Sequence, residues 1–284
     1  MSIYKIRFEQ IRQNKELSNL LSALERGFSR FGIDYYLVGA VSRDVWMSGI
    51  NKILPGRTTG DIDFAIFIND KGVYEELKAY FIHHEGFSPY SGNAFVLIWK
   101  DGTEVDLLPF GAIEDENRRV SVSGNGYSTM HVDGFKEVYA QELPEIELEE
   151  IHQFKICTLP GIVLLKLIAW DDRPEARRDD IKDISDILKH FFNMYQDVIW
   201  EKHSDLFEDD NSELLNIAAR ALGREIAGIA IRDERLYKRI RHILKSNTAE
   251  PHTSKMALIM REYFDNTVQE NFLLLQELKQ GFEE

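Results

Sequence analysis

"GRTTGDIDFAIFI", residues 56–68, sets Asp61 and Asp63 one residue apart at the head of an apolar run. Side chains alternate along a β-strand, so the two acids fall on one face. From Phe64 to Ile68 every position is apolar, which predicts a strand buried on both faces beyond the acids. Two like charges at the mouth of such a strand need a cation between them. Whatever surrounds this strand must therefore explain both its burial and its charge.

Working outward, "DYYLVG" (34–39) predicts a short buried strand, and "AVSRDVWMSG" (40–49) a helix closed by Gly49. A loop with Pro55 and Gly56 leads into the acid-bearing strand over 61–68, and "KGVYEELKAYFIHH" (71–84) reads as a helix. "NAFVLIW" and "EVDLLPFG" flank the turn dipeptide Asp101-Gly102, the pattern of a hairpin. Residues 113–133 predict a loop and a strand, "GFKEVYAQE" a short helix, and the segment through "FKIC" further strands. A helical stripe also occupies residues 8–31.

From Thr158 the pattern turns helical, beginning with "TLPGIVLLKLIAWDD" and its first-turn proline. The division expected is a mixed α/β domain over 1–155, in which helices flank a mixed sheet, and an all-helical domain over 156–284. The lone Cys157 excludes an intrachain disulfide framework, and no Cys/His cluster suggests zinc. No apolar run approaches the roughly eighteen residues of a membrane span, so a cytoplasmic protein without membrane partners is expected. The formal net charge of −14 disfavours a general nucleic-acid binder but leaves room for an enzyme that touches one nucleic-acid end.

Four pieces carry chemistry. "LVGAVSRD" is a glycine turn between strand and helix, where Gly39 permits a close turn and Ser42 adds a hydroxyl near backbone N–H groups that can hold phosphate. Asp61 and Asp63 follow. Asp106 in "EVDLLPF" lies on a hairpin strand that can sit beside the first; its neighbours Val105 and Leu107 face the other way. The fourth is the helical set Lys166, Arg173, Lys182, Asp183 and Asp186. Three carboxylates from adjacent strands suit a hard cation such as Mg²⁺ or Mn²⁺. Lys166 and Arg173 are seven apart, so one continuous helix would present both on a face that can balance a triphosphate. Lys166 could equally snorkel from its apolar helix, and Arg57 could grip phosphate or form an ion pair beside Asp61.

"LVGAVSRD", then "TTGDIDFAI", then a later strand aspartate resembles the polymerase-beta-like nucleotidyltransferase superfamily. The order Lys166, Arg173, Lys182-Asp183, Asp186, with "EVDLLPFG" and "LLKLIAWDDR", is similar to its AbiEii/AbiGii toxin-type branch over residues 34–190. Ala40 replaces that family's usual second small residue, while the Gly39–Asp61 spacing and Arg43-Asp44 resemble tRNA CCA-adding enzymes. The resemblance implies a nucleotidyltransferase-type sheet. It also implies Asp61, Asp63 and Asp106 as metal ligands, with Asp106 as base. Gly39, Ser42, Arg43, Arg57, Lys166, Arg173, Lys182, Asp183 and Asp186 would form the nucleotide site. The implied reaction is Mg²⁺-dependent transfer of a nucleotide from an NTP to an acceptor hydroxyl, with a tRNA 3′ end favoured, by the toxin of a toxin–antitoxin or phage-defence pair. A small-molecule or protein acceptor, or a non-catalytic module that binds a partner as an antitoxin does, are the alternatives.

Overall fold

The computed structural model describes residues 3–11, 16–54, 60–124, 126–208 and 213–284. The expected Pro55–Gly56 loop and Arg57 lie outside the described residues. The chain divides into two compact units, Met1–Thr158 and Leu159–Glu284.

The first unit is α/β. Its strands are β1 (Ile3–Ile6), β2 (Tyr35–Val38), β3 (Ile62–Phe67), β4 (Ser88–Pro89), β5 (Val96–Ile98), β6 (Glu104–Phe110), β7 (Arg119–Gly124), β8 (Gly126–His131), β9 (Glu145–Leu148) and β10 (His152–Ile156). Eight of them form one mixed sheet in the order β1-β9-β10-β2-β3-β6-β5-β4, and β7 and β8 make a separate hairpin. The segment expected to be a loop and one strand therefore folds back on itself as two paired strands. β3 lies between β2, antiparallel, and β6, parallel. A strand covered on both faces needs apolar side chains at both parities, and Phe64, Ala65 and Ile66 are fully buried.

Helix α1 (Glu16–Phe31) covers one face through Phe28, whose ring packs edge-on against Phe64 and Phe81. Because Phe64 points toward α1, the odd-numbered residues of β3 point to the opposite face. There Phe67 stacks on Tyr139 of helix α4 (Phe135–Tyr139), at the far end from the acids. Helix α2 (Gly39–Asp44) runs unbroken into a π-helical segment, Val45–Ile50, so Gly49 lies inside a helix instead of ending one. Helix α3 (Lys71–Tyr80) starts at Asp70, which accepts from the Val73 N–H at 3.2 Å. It continues as a π-helical turn to Glu85 and ends at Gly86 with φ +83°, its His83 and His84 exposed.

The second unit is helical: α5 (Leu159–Asp172), α6 (Arg178–Lys202), α7 (Leu214–Ala230), α8 (Glu234–Asn247), α9 (Lys255–Met260) and α10 (Val268–Glu283). Helix α5 is apolar on every side and buried along most of its length, the signature of a central helix. Its end at Asp172 leaves Arg173 outside the helix, so Lys166 and Arg173 do not share a continuous helical face. Among the described residues no helix is long and apolar enough to cross a membrane. Trp99 and Trp170 are buried in the core, and Trp200 is 53% exposed, stacked flat on Phe207.

Helices α7 and α10 meet at glycines. A Cβ on Gly281 would overlap the Arg220 carbonyl, and one on Gly223 would overlap the Leu278 carbonyl. Both obstacles are backbone, so neither side can yield without separating the helices. Gly281→Ala is expected to lower stability by about 2 kcal/mol, the middle of the overpacking range. Urea unfolding of the variant against the parent measures it, and an unchanged midpoint would show that the helices part without cost.

Candidate functional site

The site begins where β2 ends. Gly39 has φ +68°, a left-handed conformation that lets the chain leave the strand and enter α2 in one residue. A second reason for glycine comes from across the sheet. Val38 is in register with Asp63, and a Cβ on residue 39 would overlap the Asp63 carboxylate. The missing side chain thus makes room for Asp63 at the turn.

On the other side of β3, Asp63 is in register with Asp106 of β6. Residues in register on neighbouring strands lie about 4.8 Å apart and point the same way. Asp61 precedes β3 on the same parity and is exposed, whereas Asp63 and Asp106 are half-buried. The three acids thus line one face near the Gly39 turn, on the side opposite α1. Glu104, two residues before Asp106, shares that face, and the register continued one step past Ile62–Val105 aligns it with Asp61. Its parity with Asp106 was the available signal in the sequence.

Other expected ligands are committed elsewhere. The Ser42 hydroxyl is buried and donates to the Cys157 carbonyl at 3.3 Å, an acceptor shared with the Trp46 indole N–H at 2.8 Å. Two donors on one carbonyl fasten α2 to the end of β10. The Arg43 guanidinium is fully buried and pairs with Asp44 at 2.6 Å. Neither Ser42 nor Arg43 therefore reaches solvent to receive a phosphate. Arg57 is not among the described residues.

The second unit holds a cluster of its own. Lys166 neither snorkels nor offers a free cation: 7% exposed, it pairs with Asp180 at 2.9 Å and Asp183 at 2.7 Å. Burial alone would depress its ammonium, but the two carboxylates outweigh that and hold its pKa above the ordinary lysine value. Asp180 was not among the expected residues. A lysine inside an apolar helix demands countercharge, and acids three apart on one helix face were the signal for it. Lys182 sits over the Tyr263 ring at 4.9 Å, Asp186 is half-buried one turn beyond Asp183, and Arg173 is exposed. Of this set, Asp183 is absorbed by the ion cluster, and Lys182 has an aromatic partner in its own unit.

No family model, curated protein or solved structure matches the chain.

Among the described residues, no group of three or more His, Cys, Asp or Glu side chains is arranged to hold a metal ion by itself. Mg²⁺ is commonly held by one or two carboxylates, with phosphate oxygens and water completing the shell. An oxygen-only pair such as Asp63 and Asp106, in register and half-buried, fits that mode of binding.

Proposed function

We propose that the chain is a nucleotidyltransferase that moves an NMP from an NTP to an acceptor hydroxyl. The observation that carries this reading is the register of Asp63 with Asp106, with the Asp63 carboxylate seated against the glycine turn that follows β2. Asp63 and Asp106, assisted by Asp61, would hold Mg²⁺ or Mn²⁺. When bound, such an ion shields phosphate charge and makes the acceptor hydroxyl more acidic. Asp106 takes the proton from the attacking hydroxyl as general base, its oxygen acting as acceptor. The acceptor oxygen bonds to the α-phosphorus as the bond from that phosphorus to the α,β-bridging oxygen breaks, and pyrophosphate leaves with that oxygen.

A tRNA 3′ end is the acceptor favoured by the likeness to toxin-type nucleotidyltransferases, and the biological reading is then a toxin with a cognate antitoxin protein. The net charge of −14 favours instead a small-molecule or protein hydroxyl. One experiment separates these. Purified protein is incubated with each α-labelled NTP, Mg²⁺ and total tRNA, beside Asp63→Asn and Asp106→Asn. Label at an RNA 3′ end that both variants abolish is the expected result. Label in protein or a small molecule, with RNA blank, changes the acceptor alone. No transfer with any nucleotide, or equal transfer by the variants, overturns the proposal.

A further inference from the structure

Away from the acid pair, on the α1 side of the sheet, a second constellation joins a serine, a histidine and a glutamate. Even-numbered residues of β10 face α1: Phe154 packs edge-on against Phe64, which faces the same helix. His152 shares that parity, and its side chain is wholly buried. An imidazole on an apolar face needs partners for both nitrogens, and α1 supplies them. His152 Nδ1 lies 3.0 Å and 3.1 Å from the two Glu25 carboxylate oxygens, and Nε2 lies 2.8 Å from the Ser18 hydroxyl. Ser18 and Glu25 are seven apart on α1, hence on one face.

The chemistry fixes the tautomer. An ionised carboxylate only accepts, so Nδ1 carries the hydrogen toward Glu25. In the neutral ring Nε2 is then the acceptor, and Ser18 donates to it. A hydroxyl on a base whose far nitrogen is held by a carboxylate is the arrangement that activates a serine nucleophile. Ser18 is half-buried, so its oxygen has a solvent side, and Glu25 keeps 31% side-chain exposure.

We propose that Ser18, His152 and Glu25 form an acyl-transfer site acting on small carboxylic esters. In the first step the Ser18 oxygen bonds to the ester carbonyl carbon while its proton passes to His152 Nε2. The carbon–alkoxide bond then breaks, and the alcohol leaves with that proton. In the second step water gives a proton to Nε2 and its oxygen to the acyl carbon, and the Ser18–acyl bond breaks. The carboxylic acid departs and Ser18 regains its proton. Glu25 stays ionised throughout, orienting the ring and stabilising the imidazolium. Glu25, together with Glu149, which accepts from the Phe8 N–H beside the His152 ring, favours a neutral or cationic ester over an anionic one.

A fluorophosphonate probe tests this on the full chain. The expected result is a single adduct mapped to Ser18 by peptide mass spectrometry and absent from Ser18→Ala. His152→Gln should slow labelling by about 10²–10⁴-fold, the range of general-base catalysis, with an unchanged circular dichroism spectrum. Folded parent protein that gives no Ser18 adduct overturns the proposal, as does an adduct that forms equally fast in folded His152→Gln. If His152→Gln does not fold, Glu25→Gln decides, and a folded Glu25→Gln that labels at the parental rate overturns the proposal. Asp63→Asn should label normally, since the acid pair takes no part.

Discussion

Lys166→Met is expected to destabilise the helical unit by about 3–5 kcal/mol, the cost of removing one partner from a buried ion cluster. The loss does not come from packing, since methionine nearly matches the lysine stem in volume. It comes from what stays behind: Asp180, 6% exposed, and Asp183, fully buried, both lose the ammonium that they share, while Arg177 keeps its place 4.0 Å from Asp180. Keeping two like charges buried together without the cation that they share is costly. The pH dependence follows with a definite sign. In the parent, the Lys166 pKa is raised in the folded state, so its contribution is complete below the unfolded value of 10.5 and fades as pH rises through the folded one. Thermal melts at several pH values measure both effects. The triple change Lys166→Met/Asp180→Asn/Asp183→Asn should recover much of the loss, because the two buried carboxylate charges are removed together with the ammonium. A single variant as stable as the parent would mean that water reaches the aspartates.

The sequence legibility of this chain varied with the range of the interaction involved. Asp101-Gly102 marked its hairpin because a turn needs only local backbone freedom, and Gly102 does adopt φ +94°. The apolar run after Asp63 marked β3 as an interior strand because double burial shows in composition. Arg173 was misplaced despite a local cue. It precedes Pro174, and a residue before proline is pushed out of the helical region, which ends α5 at Asp172. Lys166 could not be resolved locally, since snorkelling and a buried ion cluster demand the same apolar flanks and differ only in a partner on another helix. Ser42 and Arg43 failed for the same reason: side chains following a glycine turn can face a ligand or the core, and the carbonyl of Cys157 lies 115 residues away from Ser42. The pairing of Asp63 with Asp106 required strand adjacency, which the hairpin pattern suggested. The exact register depended on the parallel β3–β6 ladder, which no local pattern encodes.

Gly39→Ala joins fold and function in one residue, and its expected effect has two separable parts. Forcing a Cβ into φ +68° costs about 1–2 kcal/mol, because the methyl group crowds the following carbonyl. That part appears in denaturant unfolding, and asparagine, which visits the left-handed region more readily than alanine, should show less of it. The second part is specific to this site. The new Cβ would overlap the Asp63 carboxylate, whose strand is pinned between β2 and β6, so the carboxylate must leave its place beside residue 39. A displacement of about 1 Å at a reacting group costs on the order of 10²-fold in rate. Gly39→Ala should therefore lose nucleotidyl transfer well beyond what its remaining folded fraction predicts, while Ser18 labelling stays at the parental rate. Gly39→Asn separates the two parts, because asparagine tolerates the left-handed conformation but still carries the Cβ. It should recover stability and not activity. If instead activity follows stability across the glycine, alanine and asparagine series, Gly39 serves only the turn, and Asp63 owes its placement to the strand register alone.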